Sequence, residues 1–284
     1  MEGPERIEYE DRSQAPIGVF DSGVGGLTVV REIIRQLPGE RITYFGDTAR
    51  VPYGSKSRET IIRYSRQIVR FLMTRGVKAI VVACNTASAY ALEELRPEME
   101  VPVIGVVGPG AKTAAEVTKN GKIGVIGTEG TIDSGIYTRF LSNLRPDIQV
   151  LGKACPLFVP LAEEGWLDGE VATVVARKYL EELCHSDIDT LILGCTHYPL
   201  LRSTIAKVMG ESVTLVNPAY ETAISLRRLL QEQGLENKSA WMTEYNSCEF
   251  FVSDAAERFQ QFAARILHLT TEDTRQIPIE EYQT

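Results

Sequence analysis

The chain has 284 residues, 44% hydrophobic and 24% charged, with a formal net charge of −8. That length and balance describe a globular protein of one large or two ordinary domains, with a core that needs no disulfide staples. The acidic balance excludes a general nucleic-acid or anionic-membrane surface, no run approaches the roughly 20 apolar residues of a membrane span, and the polar N-terminus does not read as a signal peptide.

Residues 1 to 15 read as a loose polar lead-in. Ile17 to Phe20 is a short apolar strand opening onto Asp21-Ser22-Gly23-Val24-Gly25-Gly26. An amphipathic helix follows over about 27–37, stopped by Pro38-Gly39. Ile42 to Phe45 is the second strand, and it runs into the long loop 46–55, with Asp47, Tyr53 and Gly54. A helix over 57–75 carries Ile61, Ile62, Ile68, Phe71 and Leu72 at helical spacing. Ala79 to Val82 is a strand ending at Ala83-Cys84-Asn85-Thr86, with a helix from there to about Arg96. Residues 101–107 are expected to form another strand, closed by Gly108-Pro109-Gly110.

The pattern then restarts. A helix is expected over 111–118 and a strand over 122–126 that opens onto Gly127-Thr128-Glu129-Gly130-Thr131. A helix over 134–143 and a strand over 148–152 follow. Residues 158–184 are mostly helical with a break near Gly165. Leu191 to Leu193 is a strand ending at Gly194-Cys195-Thr196-His197, followed by a helix to about Met209. A strand over 213–216 ends at Asn217-Pro218, a helix covers 221–233, and a strand over 249–252 precedes a last helix over 255–267. The final fifteen or so residues read as a loosely held tail.

Alternating strands and helices predict mostly parallel sheets. A weak internal repeat, offset by roughly 110 residues, relates the Asp21 turn to the Thr128 turn and Cys84 to Cys195. It predicts an α/β fold of two similar parallel-sheet domains facing each other across a central cleft. The first would be discontinuous, 1–107 plus 217–284, and the second would span 108–216.

Cys84, Cys155, Cys184, Cys195 and Cys248 are odd in number, widely spaced and without a CxxC pair. That argues for free thiols in a reducing cytosol and against a disulfide framework or structural zinc. An isolated cysteine is usually a small buried apolar residue, and Cys155, Cys184 and Cys248 fit that description. Cys84 and Cys195 differ. Each stands at the carboxyl end of a strand, where open α/β sheets hold ligands, just before hydroxyl and amide residues suited to a helix start.

Two opposed thiols suit one chemistry well. Inverting a carbon centre by moving one proton needs a base on one face and an acid on the other, and a thiol serves as either. His197 would support Cys195 and Asp21 would support Cys84. The alternatives are that His197 is a satisfied core group and Asp21 an ordinary N-cap. Ser22, Tyr53, Gly54, Asn85, Thr86, Thr128, Thr131 and Thr196 offer neutral donors for a small zwitterionic acid. Gly23 and Gly25 do not complete a GxGxxG pattern, since position 28 is Thr. Zinc on Cys84, Cys195, His197 and Asp21, a Cys–His hydrolase and a non-catalytic binder of a small acid remain the rival readings. No metal and no cofactor are expected.

Four motifs in order, Phe20-Asp21-Ser22-Gly23-Val24-Gly25-Gly26, Gly46-Asp47-Thr48-Ala49 with Pro52-Tyr53-Gly54, Ala83-Cys84-Asn85-Thr86-Ala87-Ser88, and Gly194-Cys195-Thr196-His197-Tyr198-Pro199-Leu200, resemble the glutamate racemase family. The resemblance implies cofactor-independent interconversion of L- and D-glutamate, supplying D-glutamate for peptidoglycan, by a cytoplasmic homodimer. It implies that Cys195 takes the α-proton from L-glutamate and Cys84 from the D-enantiomer. Asp21, His197 and a further carboxylate, Glu163 or its neighbour Glu164, would assist. Substrate contacts fall on Asp21, Ser22, Tyr53, Gly54, Asn85, Thr86, Thr128, Thr131, Thr196 and His197. Aspartate racemases share the two-cysteine layout, so the residues alone leave aspartate open as substrate.

Overall fold

A computed structural model describes residues 7–238, 248–268 and 273–283. Its strands are β1 (Ile17–Asp21), β2 (Ile42–Gly46), β3 (Ala79–Val82), β4 (Val103–Gly105), β5 (Lys122–Gly127), β6 (Gln149–Ala154), β7 (Thr190–Gly194), β8 (Thr214–Val216), β9 (Cys248–Val252) and β10 (Arg275–Gln276). The helices are α1 (Leu27–Gln36), α2 (Arg58–Thr74), α3 (Asn85–Tyr90), α4 (Leu92–Leu95), α5 (Val107–Val117) and α6 (Glu129–Asp133), then α7 (Ile136–Leu144), α8 (Phe158–Glu163), α9 (Gly169–Cys184), α10 (Arg202–Met209), α11 (Pro218–Glu232) and α12 (Ala256–Leu267).

Two sheets form, in the orders β10-β9-β2-β1-β3-β4 and β6-β5-β7-β8, and every pairing is parallel. The chain is thus built from two parallel-sheet α/β domains. The central strands β1, β2, β3 and β7 are buried along their whole length, as their unbroken apolar runs require when helices cover both faces. Alternate residues feed opposite cores. Ala79, Val81 and Ala83 join Ile17 and Val19 on the α1, α11 and α12 face. Ile80, Val82 and Cys84 join Phe20 on the α2 face. Burying each such side chain stabilises the fold by about 1.5–3 kcal/mol for the larger ones.

This topology positions the site. In the first sheet β1 and β3 are neighbours, and their carboxyl ends deliver Asp21 and Cys84. In the second, β5 and β7 are neighbours, and theirs deliver Thr128 and Cys195. Each end sits at the crest of a sheet, where the loops gather.

Several sequence expectations change. The strand expected through Val107 stops at Gly105, and Val107 already begins α5, with Gly108-Pro109-Gly110 inside its first turn. Pro109 is tolerated there because the first helical N–H groups have no intrahelical partner. Gly110 serves packing instead of a turn, since an added Cβ would lie 2.9 Å from Pro218 on α11. Helix α6 starts five residues ahead of the expected 134, because the Thr128 hydroxyl caps it at the Thr131 N–H, and Gly135 at φ +62° separates it from α7. After Cys195 the chain makes a 3-10 turn over Tyr198–Leu201 before α10 begins. Asn217 caps α11, with Pro218 at its first position.

Neither end is a loose tail within the described residues. The Ile7 N–H donates to Thr74 O, and the buried Lys78 ammonium donates to Ser13 O at 2.5 Å. β10 adds a parallel strand to β9, Ile279 is fully buried, and the Tyr282 ring packs edge-on against Phe71 at 5.3 Å. A few apolar side chains in a polar stretch are enough to dock it. Residues 1–6 of the expected lead-in, and 269–272 and 284 of the expected tail, lie outside the described residues.

Candidate active site

Cys84 closes β3 and serves as the N-cap of α3, its Sγ accepting the Ala87 N–H at 3.4 Å. Burial pushes its thiol up to about 12, and the nearby Asp21 charge adds to the rise. The Ala87 N–H and the Ser22 hydroxyl oppose it without prevailing. Cys84 is therefore a neutral acid at ordinary pH.

Cys195 follows β7 and lies with its Sγ 3.8 Å from His197 Nδ1. The other ring nitrogen, Nε2, lies 3.2 Å from Glu163 Oε1. Burial works against a charged imidazole, but the bonds to Cys195 and Glu163 and the fields of Cys195 and Asp21 win, raising His197 to about 10. As an imidazolium it donates from both nitrogens. The carboxylate beside His197 is that of Glu163; Glu164 is exposed and lies 4.0 Å from Arg258. Glu163 is also held by Arg258 at 3.5 Å, and its carbonyl accepts from Arg265 Nη2 at 2.7 Å, so α12 of the first domain braces it.

Asp21 Oδ2 accepts the Gly26 N–H at 3.0 Å and the Gly23 N–H at 3.2 Å. Oδ1 is buried with no hydrogen-bond partner among the described residues. Burial raises this carboxyl and the His197 charge opposes the rise. Asp21 thus holds the turn ahead of α1 through Oδ2 and is not the N-cap of that helix, which is Gly26 without a side-chain cap.

A cavity of about 230 Å³ runs between the domains. That lies below the roughly 300–1,000 Å³ of sites for drug-sized ligands and suits a small acid. Ser22, Tyr53, Gly54, Cys84, Asn85 and Thr86 line it from the first domain, and Thr128, Glu163, Cys195, Thr196 and His197 from the second. Asp21 and Thr131, both buried, are absent from that wall. Thr131 stands behind it, its hydroxyl 3.1 Å from those of Thr86 and Thr128. Among the described residues no group of three or more His, Cys, Asp or Glu side chains is placed to hold a metal ion.

A family model for Asp/Glu/hydantoin racemases matches residues 17–244. The chain belongs to the Asp/Glu/hydantoin racemase family. Within it, the near relatives are glutamate racemases. The enzyme of that name from Geobacter metallireducens is 52% identical over 264 residues, which is 93% of this chain and 97% of the relative. The crystal structure of glutamate racemase isoform RacE1 from Bacillus anthracis is 44% identical, with TM-score 0.88 over 93% of this chain and 98% of its own. The Francisella tularensis glutamate racemase in complex with D-glutamate is 38% identical, with TM-score 0.87 over 95% and 100%. The chain is accordingly an amino-acid racemase, an isomerase, of the glutamate racemase kind.

The sequence motifs contain Asp47 and Gly25 without showing what they hold, and Tyr137 lies outside them. Tyr137, from α7, donates its hydroxyl to Asn85 Oδ1 at 2.7 Å across the domain boundary and so orients that amide. Nothing in the local sequence marks it. Buried Asp47 accepts from the Arg50 Nε at 2.8 Å, the Tyr53 hydroxyl at 2.5 Å and the Ser253 hydroxyl at 2.9 Å, and fixes Tyr53 on the cavity wall. Its place in the 46–55 loop and motif marked the residue but not these contacts. Gly25 is needed for closeness: a Cβ there would lie 2.3 Å from Thr196 Oγ1 and 2.5 Å from the His197 ring.

Proposed function

We propose that the chain interconverts L- and D-glutamate without a cofactor, by proton transfer between two thiols. What supports this most is that Cys84 and Cys195, carried by different sheets, line one small cavity. From L-glutamate, the Cys195 thiolate takes the α-proton and the Cys84 thiol gives its own proton to the opposite face. The product is D-glutamate, with a thiol at Cys195 and a thiolate at Cys84; the reverse reaction runs the protons back. The thiolate form of Cys195 has the His197 cation beside it, and Glu163 holds that cation in place. The free oxygen of Asp21 assists Cys84. Ser22, Tyr53, Gly54, Asn85, Thr86, Thr128 and Thr196 bind the substrate's polar groups, and Thr131 holds Thr86 and Thr128 from behind.

The same reading divides the chain into 1–107 plus 217–284 and 108–216. It makes the protein a cytoplasmic homodimer that supplies D-glutamate for peptidoglycan, and hence for cell-wall biogenesis and cell shape. No helix among the described residues is long and apolar enough to cross a membrane.

The test is proton NMR of D-glutamate with the purified chain in D₂O, without added cofactor or metal. The α-proton signal should wash out as optical rotation decays, and Cys84→Ser and Cys195→Ser should each cripple racemisation. Exchange of aspartate with glutamate untouched would reassign the substrate. No exchange of either would remove the two-thiol shuttle.

A further inference from the structure

A second depression, of about 440 Å³, lies on the first domain between α2 and the C-terminal segment. Arg50, Arg63, Arg66 and Arg70 gather on it, with Gln67 among them and Glu280 on the rim. Three of these arginines share one face of α2 by their i, i+3 and i+7 spacing. In a chain of net charge −8, four guanidinium groups in one place are a marked concentration of positive charge.

The donors in this depression are not used up. The Arg50 side chain is 10% exposed. Its Nε lies against Asp47, its Nη1 lies 2.5 Å from Gln67 Oε1, and its guanidinium stacks 3.9 Å from the Tyr64 ring centre. The remaining nitrogen, Nη2, is buried with no partner among the described residues. Gln67 is 6% exposed; its oxygen is taken by Arg50, and its amide N–H groups have no partner among the described residues. Arg66 is paired to Glu98 at 2.6 Å, whereas Arg63 and Arg70 form no ion pair among the described residues.

Buried polar groups are nearly always satisfied, so the orphaned Arg50 Nη2 calls for an explanation. The exposed Arg63 and half-buried Arg70 beside it are cations without a counter-ion among the described residues. Except for the exposed Glu280 on the rim, the charged groups left over are donors. Their complement is a ligand that only accepts, an oxyanion. A planar carboxylate meets one guanidinium fork well. A tetrahedral phosphate offers oxygens in several directions, which suits guanidinium groups arriving from a loop and from successive helical turns.

We propose that this depression binds a phosphate-bearing ligand, held by Arg50, Arg63 and Arg70 with Gln67 donating beside them. The site is separate from the catalytic cavity and does not rest on the reaction assigned there. Glu280 repels the ligand and weakens its binding.

The test is calorimetric titration of the full chain with inorganic phosphate and with pyrophosphate at low ionic strength, with and without saturating D-glutamate. Both probes should bind, pyrophosphate the tighter, and D-glutamate should not displace either. The double variant Arg63→Ala/Arg70→Ala should weaken binding by about tenfold or more at unchanged Tm, through lost charge-assisted bonds. Glu280→Gln should tighten it. The absence of binding at millimolar pyrophosphate would overturn the proposal. So would binding that D-glutamate displaces and the double variant leaves alone, since that phosphate would sit in the catalytic cavity.

Discussion

Gly25→Ala adds one methyl group at the seam between the domains. Gly25 does not occupy the left-handed region, so an alanine meets no backbone penalty there. The obstacle is space. The new Cβ would stand 2.3 Å from Thr196 Oγ1 and 2.5 Å from His197 Cε1 and Nδ1. Non-bonded heavy atoms rest at about 3.5–4.0 Å, so roughly 1 Å of separation has to open. The ring cannot yield alone, because Cys195 and Glu163 hold its two nitrogens. Thr196 can turn its Oγ1 aside about χ1 but cannot withdraw its backbone, whose carbonyl accepts the Thr28 hydroxyl from the first domain at 2.8 Å, so the ring remains the obstacle. The domains must therefore part at the site itself. A misplacement of about 1 Å costs on the order of a hundredfold in rate, and overpacking costs about 1–3 kcal/mol of stability. The assay is kcat/KM for both glutamate enantiomers, beside Tm. Gly23→Ala is the control: its Cβ would meet only Val51 Cγ1, at 2.8 Å, the far end of a side chain that is itself exposed. Near wild-type rates in Gly25→Ala, or a greater loss in Gly23→Ala, would refute the reasoning.

Glu163→Gln should lower the His197 pKa from about 10 by about one unit, a charge-assisted bond discounted for the partial exposure of Glu163. Glu164→Gln should leave it in place, and NMR titration of the imidazole ring reads both. Tyr137→Phe leaves the buried Asn85 oxygen without its donor, so stability should fall by about 1–3 kcal/mol and KM for glutamate should rise. Denaturant unfolding and steady-state kinetics check the two parts, and an unchanged KM would separate Tyr137 from the substrate. Stability should also fall as pH rises from 6.5 to about 10. Across that window the unfolded imidazole has lost its proton while the native one keeps it. The contribution is thus fully present below 6.5 and gone above about 10. Urea unfolding of the wild type against His197→Gln should show a steeper fall in the wild type, the buried thiols Cys84 and Cys155 adding the same slope to both above about 9.

Much of this protein is determined by the sequence on its own. Apolar runs such as Ala79 to Val82 and Leu191 to Leu193 announce buried parallel strands, because continuous burial leaves no polar alternation. The residues just past those runs are then the candidates for chemistry, because parallel strands present their carboxyl ends together. That logic reached Cys84, Cys195, Asp21 and His197 from periodicity and position alone. Other features depend on contacts that local patterns do not carry. Tyr137 meets Asn85 across 52 residues, and Glu163 meets His197 across 34. The C-terminal strand β10 is two residues long, too short to have a period, and exists because β9 offers it an open edge. Gly108-Pro109-Gly110 reads as a turn by composition, yet α11 makes it a helix start by packing Pro218 against Gly110. Local periodicity pointed to the strand ends that line the cavity. The packing of one domain on the other decided which side chains meet there, since those distances depend on parts of the chain far apart in sequence.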